Sequence, residues 1–156
     1  MEQRRGPYPT PGARKQWAAN SPVVMMAVVS GEVSASKPGL PVGAANVSGK
    51  ISNVWMSVGA SGKDDSNTLS ATVDVKINGT SCLSTQPIIA HVSGEASTNK
   101  TTKDANDTGV TQCAMDGDNN DVSYGDVITC DLLLTRTASP TTEMGTFAIA
   151  VEFEPA

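Results

Sequence analysis

Residues Leu69–Ile77 read LSATVDVKI, with an apolar residue at every second position. This period of two places the apolar side chains on one face of an extended strand and the polar ones on the other, which is typical of a half-buried antiparallel strand. Asn78 and Gly79 follow at once, and Asn-Gly favours the positive φ angles that a two-residue hairpin turn requires. The sequence therefore predicts a β-hairpin whose return strand begins at Thr80.

The same alternation recurs on both sides of the hairpin. Ile51–Val58 places Val54, Met56 and Val58 on one face and Trp55 on the other. Two more strands are predicted with one apolar face each: Val127–Arg136, with Ile128, Cys130, Leu132 and Leu134 inward, and Phe147–Phe153, with Phe147, Ile149, Val151 and Phe153 inward.

The run Val23–Val29 (VVMMAVV) is apolar at every position and predicts a fully buried first strand. Its seven residues are far fewer than the roughly 20 that a transmembrane helix needs. As the core of a signal peptide the run is short, and the four prolines before it do not fit a basic leader segment. We therefore expect neither a membrane span nor a signal peptide, and synthesis in a cytoplasm.

Turn-rich segments separate these strands, and no segment predicts a helix. Gly59–Asn67 and Gly94–Gly109 consist almost entirely of small and polar residues, so both are predicted to be solvated loops. The strand spacing predicts an all-β fold, an antiparallel two-sheet jelly-roll-like sandwich of about eight strands with an extended N-terminal arm.

Composition changes abruptly near Pro22. Residues 1–22 contain four prolines and four cations against the single acid Glu2, so they carry +3. Because the whole chain carries −5, residues 23–156 carry −8. Prolines keep a chain extended, and the charge of this segment is opposite to that of the body. We therefore divide the chain into an extended basic arm, residues 1–22, and a β-sandwich domain, residues 23–156.

The residues offer no coherent catalytic set. His91 is the one histidine, and no serine stands in a nucleophile elbow, so an enzyme is not expected. Cys82, Cys113 and Cys130 are odd in number and lack metal-binding spacing. They are interpreted as reduced thiols of a protein made in the cytosol, with one disulfide as the alternative.

The stretch Asp116–Asp121 (DGDNND) is similar to the start of a calcium loop but departs from it at two positions. Asp121 stands where the loop needs glycine, and Val127 stands where it needs a bidentate glutamate. An Asx-rich turn is the main interpretation. A weak cation site built from Asp116, Asp118, Asp121 and Asp126 is the alternative. No cofactor is expected.

Two segments resemble a known style of sequence. Thr72–Leu83 (TVDVKINGTSCL) and Tyr124–Leu134 (YGDVITCDLLL), followed by the terminal FAIAVEFEP, resemble the β-sandwich virion proteins of tailed bacteriophages. The resemblance is closest to head decoration, or cement, proteins. It implies a non-enzymatic structural component of the capsid surface, often a homotrimer, made in the host cytoplasm and bound to the major capsid protein.

The leading hypothesis is therefore a capsid decoration protein that binds and stabilises the head through its arm. Cations would pair with acidic capsid side chains and aromatic residues would serve as desolvated anchors, since these residue types dominate interface energetics. We expect no nucleic acid, membrane or small-molecule partner. The alternative is a head-fibre or tail-attached module that recognises host glycans through its polar loops. The residues predicted to bind the capsid are Arg4, Arg5, Tyr8, Arg14, Lys15 and Trp17.

Overall fold

The computed structural model describes residues 21–105, 107–137 and 139–156, so residues 1–20 of the predicted arm lie outside the described part of the chain. Within the described residues the chain is all-β and contains no helix, and hence none that could cross a membrane. It forms thirteen strands, several of only two or three residues, where the sequence predicts about eight. In chain order they are β1 (Val23–Val33), β2 (Lys37–Ala44), β3 (Gly49–Ala60), β4 (Ser70–Ile77), β5 (Thr80–Ser81), β6 (Leu83–Thr85), β7 (Ile88–Ala90), β8 (Lys100–Thr101), β9 (Val110–Thr111), β10 (Ala114–Met115), β11 (Asp121–Val122), β12 (Val127–Thr135) and β13 (Met144–Pro155).

The strands form two main antiparallel sheets. In the first, sheet A, β13 lies between β1 and β3, and both β8 and β11 pair with the other edge of β3. In the second, sheet B, the order is β2, β12, β4, β7 and β9, with β5 also paired to β4. The short strands β6 and β10 pair with each other. The long strands β1 to β4 therefore alternate between the two sheets, and β12 and β13 lie in sheet B and sheet A.

Buried apolar side chains of both sheets form one core cluster. The alternation in the sequence predicts which residues enter it. Ala71, Val73 and Val75 of β4 are completely buried, whereas Trp55 lies on the outward face of β3, as predicted. The predicted inward residues of β12 and β13 are also confirmed: Ile128, Cys130, Leu132, Phe147, Ile149, Val151 and Phe153 are buried, and Leu134 is partly buried against them.

The predicted hairpin turn is confirmed. Asn78 and Gly79 have φ angles of 48° and 89°, and Ile77 pairs directly with Thr80. The positive φ at Gly79 is free of strain because glycine has no Cβ. Asparagine tolerates the same region better than most residues because its short polar side chain can form local hydrogen bonds.

The Asn78 side chain also ties this turn to the start of β12. Its Nδ2 donates to Asp126 Oδ1 at 2.8 Å, and its Oδ1 accepts from the Val127 backbone N–H at 2.9 Å. The two segments that carry the virion-protein resemblance are therefore neighbours in sheet B, joined by hydrogen bonds between their motif residues. Hydrogen bonds from Ser123 N–H and then from Asn78 lower the pKa of Asp126.

We expect Asn78→Ala to destabilise the domain by about 2 kcal/mol, because it removes two hydrogen bonds and places a Cβ-bearing residue without local hydrogen bonds at positive φ. Asn78→Gly should cost about 1 kcal/mol, because it removes the hydrogen bonds and relieves the backbone. Urea denaturation measures both values, and Thr80→Ala in the same hairpin is the control. Equal stability of Asn78→Ala and the wild type would show that the turn is not tied to β12 in this way.

The prediction that Val23–Val29 is fully buried is wrong. β1 lies at the edge of sheet A, so alternate residues face the core and the solvent. Ala27 is buried and Met25 and Val29 are partly buried, but Val24, Met26 and Val28 face outward and are exposed. A stretch that is apolar at both parities resembles a strand buried on both faces, although here one face lies on the molecular surface.

Strands also form where the sequence predicts none. Residues 37–44, KPGLPVGA, form β2 despite Pro38 and Pro41. Proline is tolerated there because β2 pairs with β12 alone, and the register shifts beside Pro41. The stretch Gly94–Gly109 is not wholly solvated either, because β8 lies within it and Lys100 is buried.

Candidate interaction surface

The sequence places the capsid-binding residues in the arm, and these residues lie outside the described part of the chain. Arg4, Arg5, Tyr8, Arg14, Lys15 and Trp17 therefore stay a prediction. The described residues instead present a surface that the sequence analysis missed. It begins on β1, directly after the arm, and continues across the outward face of sheet A.

The outward side chains of β1 form an exposed apolar strip. Val24, Met26 and Val28 are 46%, 58% and 64% exposed. These values are high for apolar side chains on a regular strand, and β1 has no charged residue before Glu32. The signal in the sequence is that VVMMAVV is apolar at odd and even positions alike. Both faces of the strand are therefore apolar, although only one of them lies on the core.

The strip extends across the sheet because its neighbours in register are also apolar. Met26 lies beside Ala150, and Ala150 lies beside Trp55 of β3. Ala150 is only 2% exposed although it does not belong to the core cluster, because its small side chain lies between two large ones. In the next row Val28 lies beside Ala148. We call Val24, Met26, Val28, Ala148, Ala150 and Trp55 the outer patch.

Charged groups bound the outer patch on two sides. Lys103 Nζ lies 4.5 Å from the centroid of the Trp55 ring, which is a cation–π contact. At the other end Glu152 lies beside Val24, and its Oε1 accepts a hydrogen bond from Ser52 Oγ at 3.1 Å. An apolar centre with a polar rim is the general composition of a protein–protein contact surface.

The outward face of sheet B is different, because its charged groups are paired with each other. Lys76 Nζ lies 2.6 Å from Asp131 Oδ2, and the Gly39 N–H donates to Asp131 Oδ1 at 2.7 Å. The hydrogen bond from Lys76, followed by that from Gly39, lowers the pKa of Asp131, and the hydrogen bond to Asp131 raises the pKa of Lys76. Asp74, nearly buried, accepts a hydrogen bond from Ser81 Oγ at 2.5 Å. These three charged groups therefore have partners on the same face, where Val127 and Leu133 are exposed.

His91 takes part in a link between loops. Its Nε2 lies 2.9 Å from Asp65 Oδ1, the same oxygen accepts from the Gly94 N–H at 2.9 Å, and Lys63 Nζ lies 3.3 Å from Asp65 Oδ2. The hydrogen bond from Gly94, followed by that from His91, lowers the pKa of Asp65 from its usual 3.8 to about 2. The arrangement holds the turn after β7 against the loop after β3.

This link predicts a pH dependence. Because the pKa of Asp65 is lower in the folded chain than its ordinary value, its stabilising effect is present above pH about 4 and is lost as the pH falls towards about 2. We expect Asp65→Asn to be less stable than the wild type near neutral pH and to lose less stability over that acid range. Urea midpoints of both proteins measured across this range test the expectation, and parallel curves would contradict it.

The Asp116–Asp121 stretch is an Asx turn. Asp116 accepts from the Asp118 N–H at 3.0 Å and from Asn119 Nδ2 at 2.8 Å. Asp121 instead pairs with Lys50 at 3.3 Å, and Asp126 binds Asn78. The four carboxylates do not come together, and no group of three or more potential metal ligands occurs among the described residues.

Among the described residues His91 Nδ1 and Asn120 Oδ1 are buried without a hydrogen-bond partner, whereas the buried ammonium group of Lys100 has partners. Buried Lys100 is held by Glu95 Oε2 at 2.7 Å and by the Thr108 carbonyl at 2.8 Å. It lines an open cleft of about 400 Å³ together with residues of β3 and of the segment 99–107. All three cysteines are free, and burial raises the pKa of both Cys82 and Cys130 to about 12.

In the described structure, the outer patch thus leaves apolar side chains exposed, and one edge of β1 pairs with no described strand. Comparison with protein-family models, with curated proteins and with solved structures found no match. The geometry defines the class of site: an apolar sheet face bounded by charges, suited to contact with another protein.

Proposed function

We propose that the two sheets form a jelly-roll sandwich, and strand order supports this. Eight of the thirteen described strands, counted in chain order as strands 1 to 8, are β1, β2, β3, β4, β7, β8, β12 and β13, of which β7 and β8 are as short as the five left out. In sheet A the order is β1, β13, β3 and β8, which are strands 1, 8, 3 and 6 of the eight. In sheet B the order is β2, β12, β4 and β7, which are strands 2, 7, 4 and 5 of the eight. A jelly roll, built from two interlocked Greek keys, has this order.

We infer further that the chain is a structural component of a tailed-bacteriophage virion, a decoration protein on the capsid surface. The strand order of the two sheets carries this proposal, because it supports a jelly roll and viral capsid domains use that architecture. The motif resemblance and the outer patch support it. In this proposal the arm binds the major capsid protein and stabilises the head, and the acidic β-domain is displayed.

The experiment is a binding assay with virus particles purified from the host that carries this sequence and stripped of the protein. We expect deletion of residues 1–20, which leaves β1 whole, to abolish particle binding while the far-ultraviolet spectrum stays that of a β-protein. Replacing Arg4, Arg5, Arg14 and Lys15 by alanine should weaken binding at least about tenfold.

The matched control replaces Lys37 and Lys50, exposed cations of the β-domain, by alanine. This variant should bind particles normally, because the proposed contact lies in the arm. Normal decoration by the protein that lacks residues 1–20 would disprove the role of the arm.

A second candidate is a head-fibre or tail-attached module for glycan recognition. Lectins also use the jelly roll, and the open cleft beside Lys100 is lined by amide, hydroxyl and carboxylate groups that could bind sugar hydroxyls. A glycan array tests it: strong saccharide binding that Asn99→Ala and Asp104→Ala remove would favour this function over decoration.

A further inference from the structure

We propose that β1 joins this chain to a second copy of itself, by antiparallel pairing of the two β1 strands about a twofold axis at Met26. The two copies of sheet A then form one continuous sheet, with their outer patches side by side. In such an isologous contact both copies contribute the same residues. It gives a dimer or an even-numbered assembly, where the virion-protein resemblance implies a trimer. The inference goes beyond the proposed function and does not depend on it.

The backbone of Val23–Val29 is suited to such pairing. β13 pairs with every residue of this stretch in continuous register, and the first irregularity comes only between Val29 and Glu32. β13 is the one described strand that pairs with β1. Natural proteins protect long edges with lysine, proline or a bulge, and Val23–Val29 contains none of these. An open, regular edge of this kind adds another strand through main-chain hydrogen bonds.

The side chains of this stretch are complementary to themselves. With the axis at Met26, Met26 lies opposite Met26 of the second copy, and Val24 lies opposite the second copy's Val28. Each outward cross-strand pair is therefore apolar, and such pairs stabilise a sheet. The apolar surface continues on both sides into Ala150 and Trp55, so the joined patch runs from one Trp55 to the other.

The charges near the contact do not oppose it. Glu152 lies beside Val24, at one end of the outer patch, so the Glu152 side chains of the two copies lie at opposite ends of the joined patch. No acid of one copy faces the same acid of the other across the axis. Although each β-domain carries −8, the contact itself is free of charge.

The composition of the chain favours a second copy over the chain's own arm as the occupant. Residues 1–20 contain three prolines, which cannot donate hydrogen bonds to a neighbouring strand, and four cations. Val23–Val29 contains neither, and in the register centred on Met26 its outward apolar side chains meet only apolar side chains of the other copy.

The first test is the mass of the full chain in solution, measured by sedimentation equilibrium over a range of concentrations. We expect a dimer. Met26→Lys should weaken the association at least about tenfold, because it places two like charges opposite each other in an apolar contact. Leu133→Lys is the matched control, since Leu133 is 42% exposed on the outward face of β12, and this variant should remain a dimer. Circular dichroism confirms that both variants are folded.

The second test fixes the register by oxidative cross-linking in a Cys113→Ser background. Met26→Cys should form a covalent dimer, because directly opposed Cβ atoms lie about 5 Å apart. Val24→Cys alone should not, because the two copies of residue 24 are offset by four positions, or about 13 Å.

Two outcomes would overturn the proposal: a monomeric wild type, and a trimer that Met26→Lys leaves intact. If the wild type is a monomer and its β1 amides become exposed to hydrogen exchange only after residues 1–20 are deleted, the edge of β1 is assigned to the chain's own arm.

Discussion

Phe147→Ala is expected to destabilise the domain by about 3–5 kcal/mol, the usual cost of removing a buried phenylalanine ring. Phe147 is completely buried and is the largest of the fully buried side chains. It lies on β13, the central strand of sheet A, between Val29 of β1 and Val58 of β3 in register. Neighbouring strands are fixed by their pairing with β13, so they cannot move far into the space that the ring leaves.

Urea denaturation monitored by circular dichroism measures this loss. Tyr124→Ala is the matched control, because it removes an aromatic ring from a residue that is 77% exposed, and it should change stability by less than about 0.5 kcal/mol. A loss below about 1 kcal/mol for Phe147→Ala would be incompatible with a close-packed core at this position.

Gly49→Ala is the second substitution with a large expected effect, a loss of about 3 kcal/mol from backbone displacement. A Cβ at residue 49 would lie 2.1 Å from the Glu154 carbonyl oxygen and 2.8 Å from the Phe153 ring. The first of these contacts is with backbone and cannot be relieved by a side-chain rotation. Relief requires β3 and β13 to separate where Gly49 pairs with Pro155.

Thermal or urea denaturation tests this expectation, with Gly117→Ala as the control. A Cβ at Gly117 meets nothing within 4 Å, and its φ is not positive, so this variant should be close to the wild type. Wild-type stability of Gly49→Ala would contradict the close approach of the two strands.

The sequence predicts the central strands of the fold because their apolar residues occupy every second position, and hence one face of each strand. Leu69–Ile77, the Asn78-Gly79 turn and Phe147–Phe153 are confirmed for that reason. Strand β2 could not be predicted, because Pro38 and Pro41 normally end a strand and are acceptable only where one edge is free. Nor could the burial of Lys100 be predicted, since it depends on Glu95 and Thr108, which approach it only in the folded chain.

The candidate surface is predictable only in part. The sequence shows that every position of Val23–Val29 is apolar. Whether the second face of this strand is covered by another layer of the same chain depends on the order of strands in the sheet. The position of β1 at the edge of sheet A decides this, and it results from pairings between residues more than one hundred positions apart, such as Val23 with Phe153. The capsid-binding role of the arm stays a prediction.

Electron microscopy of purified particles labelled with an antibody against residues 23–156 is the most direct test of the proposal that this chain decorates the outside of a virus head. We expect label spread over the whole head surface. Absence of the protein from purified particles, or label confined to the tail or to a single vertex, would contradict it.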